Sequence, residues 1–130
     1  MQATQHKNND EKKAVLFVDD EKMVLEVGFL MLQKLGYSVL VASNGHKAIE
    51  ILKENEVAFI ILDMLMPGMN GYEIYHQLKK IQPKVKILLA SGYPGDQPEW
   101  LLESIGFDGY LQKPFNLKQL SEKIDEIWGN

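Results

Sequence analysis

Short apolar runs alternate with helical patterns along nearly the whole chain. Residues 15–18 are continuously apolar and end in Asp19-Asp20-Glu21. From residue 22 to 35 the period lengthens: Val24, Val27, Met31 and Leu35 fall on one helical face, and Gly36 fits the position just past a helix end. Residues 37–42 read as a second strand. Asn44 suits an N-cap for a helix reaching about residue 55, with Ala48, Ile51 and Leu52 inward. Residues 58–62 form the most apolar run, which closes on Asp63. Met66-Pro67-Gly68-Met69-Asn70-Gly71 is turn-rich, and Ile74, Leu78 and Ile81 then make a helical stripe that stops before Pro83. Residues 85–90 are a fourth strand, followed by Ser91 and a loop. Pro98 suits the first turn of a short helix through about Ser104. A short fifth strand covers 109–112, and Asn116 can cap a last helix with Leu117, Leu120, Ile124 and Ile127 inward.

Strand starts at 15, 37, 58, 85 and 109 are separated by 22, 21, 27 and 24 residues, one strand plus one helix per step. Five such units predict an α/β fold around a parallel sheet with right-handed crossovers. Strands this apolar imply burial on both faces. In an open α/β sheet the carboxyl ends of the strands share one edge. Asp19, Asp20, Asp63, Ser91 and Lys113 then meet in one crevice. Three carboxylates, a hydroxyl and an ammonium suit a divalent cation and a phosphoryl group.

Each residue also has a plainer role. Asp20 fits a helix N-cap, and Glu21 a first turn that favours negative charge. Two adjacent acids after a fully apolar strand are harder to explain as caps. Gathered carboxylates favour a hard cation such as Mg²⁺. Asp63 could start the turn before Pro67-Gly68, but beside other acids its charge is costly without a cation, and a placed carboxylate is a competent phosphoryl acceptor. Ser91 before Gly92 could be a turn residue. Lys113 could be a snorkelling surface lysine, but its place at a strand end aims it at the crevice. Peptide energetics alone favour a trans bond between Lys113 and Pro114. His6, His46 and His76 share no ligand spacing and read as surface residues. Trp100 and Trp128 read as packing residues.

Composition narrows the classes. One domain is expected from 130 residues, with 1–13 as a disordered tail or linker and 14–128 as the folded unit. A net charge of −4 gives no electrostatic reason to bind nucleic acid or an anionic membrane directly. All 14 basic residues are lysine, so bidentate guanidinium recognition is excluded. With no cysteine there is no disulfide, thiolate metal site or cysteine nucleophile, which fits a cytoplasmic setting. No apolar run approaches the roughly 20 residues that span a bilayer.

Taken in order, these motifs resemble the response-regulator receiver domain, the chemotaxis-regulator-like module of two-component signalling. The resemblance covers about 14–128. It rests on the acid pair after the first strand, Asp63 in Asp-Met-Leu-Met-Pro-Gly-Met-Asn-Gly, Ser91 after the fourth strand and Lys113-Pro114-Phe115 after the fifth. It implies a flavodoxin-like, five-stranded doubly wound sheet. The strand order 2-1-3-4-5 is the one known for that family rather than one read from the spacing. Asp63 would be the phosphoacceptor, served by a histidine kinase or histidine phosphotransfer protein. Asp20 and Asp63 would bind Mg²⁺, with Asp19 acting through water and the Leu65 carbonyl completing the set. Lys113 and the Ser91 hydroxyl would hold phosphoryl oxygens, so Asp63, Lys113 and Ser91 carry the chemistry. Tyr110 would be the switch aromatic that follows Ser91. The Lys113–Pro114 bond would be cis, against the bare energetics. The output surface would run from the fourth helix to the last, for a downstream protein or self-association. Leu65 and Tyr93, both at variable family positions, would together screen the acyl phosphate from water.

Such a chain would be a signalling switch rather than a turnover enzyme. It would be either a single-domain regulator or the receiver of a hybrid histidine kinase, whose parent could be membrane-anchored. The Ser91-Gly92-Tyr93 loop and the run from Ile105 to Phe115 resemble hybrid-kinase receivers, and no DNA-binding domain follows Trp128. A haloacid-dehalogenase-type phosphatase also uses Asp and Mg²⁺, but wants a second aspartate where Leu65 stands. A flavodoxin-type carrier wants a hydroxyl-rich loop where Asp19-Asp20-Glu21 stands. A receiver-like scaffold that is never phosphorylated fits poorly with a full site set.

Overall fold

The computed structural model describes residues 14–63, 71–92 and 106–128. The elements run β1 (Ala14–Val18), α1 (Lys22–Lys34), β2 (Ser38–Ala42), α2 (Gly45–Glu54), β3 (Val57–Asp63), α3 (Gly71–Ile81), β4 (Lys86–Ser91), β5 (Gly109–Gln112) and α4 (Leu117–Trp128). All four strand pairs are parallel, in the order β2-β1-β3-β4-β5. The helix expected from Pro98 and the tail before Ala14 lie outside the described residues, as do Leu65, Tyr93 and Trp100.

The side-chain alternation of a strand divides the core in two. Leu16, Val18, Ile60, Leu62, Ile87 and Leu89 point to one face, where Ala48 and Leu52 of α2 and Ile74 and Leu78 of α3 cover them. Val15, Phe17, Phe59, Ile61, Leu88 and Ala90 point to the other, under Leu32 of α1 and Leu120 and Ile124 of α4. Burial on both faces holds for β1, β3 and β4. It fails for β2, an edge strand whose Ser38 and Val41 are exposed.

The helix ends follow local chemistry. Gly36, at φ +100, takes the left-handed position after α1. Its N–H donates to the Gln33 carbonyl at 2.9 Å and that of Tyr37 to the Leu32 carbonyl at 3.1 Å, the paired bonds of a Schellman end. Asn44 caps α2 by accepting from the Lys47 N–H at 2.9 Å. Asn116 caps α4, accepting from the Gln119 N–H at 2.8 Å while the Gln119 side chain accepts from the Asn116 N–H at 2.9 Å. That is a reciprocal capping box, legible in Asn-x-x-Gln.

Two expectations are corrected. The N-cap of α1 is Glu21 rather than Asp20, and its side chain makes no capping hydrogen bond. The buried stripe of α1 is centred on Gly28 and Leu32, with Val24, Met31 and Leu35 of the expected face packed against the core beside them, and Val27 exposed along with Met23 and Leu30. A Cβ on Gly28 would collide with the Phe17 ring, so the helix lies directly on β1 at this point. That contact turns Val27 outward. A glycine adds nothing to an apolar pattern, which is why the pattern put Val27 rather than Gly28 on the inner face.

Candidate functional site

Strand register assembles the site. Val18 lies beside Leu62 across β1 and β3, so Asp19 and Asp63 emerge together at the carboxyl edge. Asp63 pairs with Ala90, and Ser91 with Gln112, which carries the row on to Lys113. The Lys113 N–H donates to the Ser91 carbonyl at 2.8 Å, fixing the chain just beyond β5. The Lys113–Pro114 peptide is cis.

Asp19 is fully buried and Asp63 is 3% exposed. Asp20, on the solvent side, is exposed. Carboxylate oxygens of the three lie within 4.8 Å of one another. Lys113 Nζ donates to Asp19 Oδ2 at 2.8 Å and stands 3.6 Å from Asp63 Oδ2 and 3.8 Å from Glu21 Oε1. Asp19 Oδ1 also accepts from the Glu21 N–H at 2.9 Å. Asp19 is thus held at both oxygens. Burial by itself lowers the Lys113 pKa, but the hydrogen bond to Asp19 and the charges of Asp63, Asp19 and Glu21 outweigh it, so the ammonium lies above the ordinary lysine value.

One ammonium does not balance three crowded carboxylates, two of them shielded from water. That donor set, all hard oxygens, fits Mg²⁺. Ser91 is 7% exposed at the end of β4, and the Tyr110 hydroxyl reaches its carbonyl at 3.5 Å. The structure therefore gathers Asp19, Asp20, Asp63, Ser91, Lys113 and Tyr110 at one edge. His46 and His76 are exposed, away from any ligand cluster among the described residues.

Two features escaped the sequence. Glu21, read only as a first-turn acid, reaches Lys113. An open groove of about 820 Å³ runs from the carboxylates along α1, with Met23, Val24, Val27, Met31, Pro114 and Phe115 among its lining. The apolar spacing in α1 placed Val24, Met31 and Leu35 on the core side, but not the groove beside them.

A doubly wound parallel sheet in this strand order is the flavodoxin-like architecture of chemotaxis regulators. The CheY4 chemotaxis protein of Vibrio cholerae superposes with a TM-score of 0.81 at 28% identity, covering 89% of this chain and 98% of that one. The model of the response regulator receiver domain matches residues 15–125, and the chain belongs to that family, the receiver modules of two-component signalling. TrrA of Thermotoga maritima, solved in complex with Mg²⁺-BeF, superposes with a TM-score of 0.77 at 33% identity, covering 88% of this chain and 98% of that one. The sensor kinase CckA of Brucella abortus is 38% identical over 115 residues, 87% of this chain but 12% of the kinase. The chain therefore spans about an eighth of the length of this relative. Receiver domains are signalling switches that interact with histidine kinases or phosphotransfer proteins. No helix among the described residues is long and apolar enough to cross a membrane.

Proposed function

We propose that Asp63 is the phosphoacceptor of this receiver, and that it takes a phosphoryl group from a histidine of a sensor kinase or phosphotransfer protein. The observation that carries the reading is the position of Lys113 Nζ, 2.8 Å from Asp19 and 3.6 Å from Asp63. An ammonium fixed there offsets charge on phosphoryl oxygens at the moment of transfer. An Asp63 oxygen bonds to phosphorus, the N–P bond of the phosphohistidine breaks, and the imidazole leaves with the electron pair and picks up a proton. Asp20 and Asp63, with Asp19 through water and the Leu65 carbonyl, would hold Mg²⁺. When bound, that ion neutralises the phosphoryl oxygens and the crowded acids together.

Asp19 orients Lys113, since its second oxygen is already fixed by the Glu21 N–H. The Ser91 hydroxyl takes a phosphoryl oxygen, and Tyr110, joined to the Ser91 carbonyl, follows it. Phosphorylation adds close to two negative charges and three acceptor oxygens, enough to bias a two-state surface. That surface would extend from the 98–104 segment to α4 and meet a downstream protein or a second copy. The likeness to a kinase many times its length supports a hybrid-kinase receiver over a single-domain regulator.

Incubation with Mg²⁺ and acetyl phosphate, followed by intact mass, tests the reading. A gain of one phosphoryl group that is lost with EDTA and absent in Asp63→Asn is the expected result. No adduct, with beryllofluoride also failing to bind, overturns it.

A further inference from the structure

Glu21 stands apart from the other acids of the site. Its N–H is committed to Asp19 at 2.9 Å, which pins the backbone at the start of α1. Its side chain caps nothing, although it occupies the N-cap position. The carboxylate is instead 65% exposed and hangs over the mouth of the site, 3.8 Å from Lys113 Nζ. Lys113 thus faces three carboxylates at 2.8, 3.6 and 3.8 Å, and of these Glu21 is the one open to solvent. It also lies outside the close cluster of Asp19, Asp20 and Asp63.

We propose that Glu21 is a positioning residue that draws Lys113 toward the mouth and charges that mouth against doubly negative small phosphodonors. The inference rests on Asp63 being the acceptor. Two effects act in the same direction. The ion pair keeps part of the ammonium's attraction away from an entering phosphoryl group. The carboxylate also repels the donor directly, in proportion to the donor's charge. A pair with one partner open to solvent is partly screened, so Lys113 can leave Glu21 once a phosphoryl group is in place. A protein donor can offset the same charge with a cation of its own, which a small anion cannot. Glu21 would thereby favour protein donors over metabolic acyl phosphates.

Acetyl phosphate is a dianion near neutral pH, whereas the protonated amine of phosphoramidate leaves it singly charged. The test measures initial phosphorylation rates of the full chain with each donor, by intact mass at saturating Mg²⁺ and low salt. Glu21→Gln should raise the acetyl phosphate to phosphoramidate rate ratio by about three- to five-fold. Glu21→Asp should stay near the wild-type ratio, and molar salt should abolish the difference. A purely structural role would change both rates together and leave the ratio unmoved. Glu21→Gln keeps the N–H bonded to Asp19, and an unchanged urea midpoint confirms its fold. An unchanged ratio in Glu21→Gln, or a ratio in Glu21→Asp equal to that of Gln, overturns the proposal. A wild-type chain that takes no adduct from either donor instead removes the acceptor reading itself.

Discussion

Gly28 of α1 rests directly on the ring of Phe17 in β1, with no room between them for a Cβ. Alanine at a helix interior normally gains about 1 kcal/mol over glycine. Here the sign should reverse. The Phe17 ring is 1% exposed and packed on all sides, so an added methyl forces α1 away from the sheet. Gly28→Ala is expected to lower unfolding stability by about 1–3 kcal/mol, read from urea denaturation. A stabilised variant would mean that the helix can lift at no cost.

The acid cluster should make the cation-free protein less stable than it could be. Asp63 is repelled by two carboxylates within 4.8 Å and attracted by one ammonium at 3.6 Å. The repulsions win. In EDTA, Asp63→Asn should therefore be more stable than wild type by about 1–2 kcal/mol. Adding Mg²⁺ well above its dissociation constant should reverse the order. At a hundred times the dissociation constant the ion stabilises wild type by about 2.7 kcal/mol and the variant far less. Denaturation curves with and without Mg²⁺ decide the matter.

The reciprocal bonds of Asn116 and Gln119 open the helix that covers one face of the sheet. Asn116→Ala should cost about 1 kcal/mol, and Gln119→Ala less, because it leaves the Asn116 cap in place. Equal losses would show that the two bonds act as one unit.

Tyr75 gives an alkaline signature. Burial, and then the nearby charge of Asp108, push its phenol above the ordinary value of 10.0. The folded state therefore keeps a proton that the unfolded chain gives up. Its contribution is complete below 10.0 and is lost as pH climbs through the raised folded value. Wild type should lose stability faster than Tyr75→Phe across that window. Parallel curves from urea melts at stepped pH would refute this.

We propose that Leu65 and Tyr93, expected from the sequence to screen the acyl phosphate, set the lifetime of the phosphorylated state. If they screen the acyl phosphate, Leu65→Asn shortens its half-life several-fold. A half-life equal to or longer than wild type ends that idea.

Much of this was legible in the chain because it depends on local signals. The continuous apolar runs of β1, β3 and β4, the Gly36 helix end, the Asn44 cap and the acids closing the strands are each written in a few adjacent residues. What escaped depends on packing between distant segments. The outward turn of Val27 follows from an absence, the missing side chain of Gly28 against Phe17, which no hydropathy pattern registers. The reach of Glu21 to Lys113 joins residues from opposite ends of the chain. The exposure of β2 follows from its place at the sheet edge, which is decided by strand order and not by its own composition. The Gln82 side chain, which donates to the Leu52 and Asn55 carbonyls and accepts from the Val57 N–H, ties α3 to the turn before β3. A polar residue at a helix end gives no hint of that.

The strand order also divides labour. Asp19 follows β1 and Asp63 ends β3, each strand flanked by a neighbour on both sides, whereas Tyr110 lies in β5 and Lys113 just beyond it, on a strand bonded on one side only. Ladder hydrogen bonds on two flanks leave a strand little freedom to shift. We expect a covalent change at Asp63 to fall on a strand paired on both flanks and to be felt at a margin paired on one. Chemistry there would stay in register while the rim rearranges, so information could leave the site without the site itself being deformed.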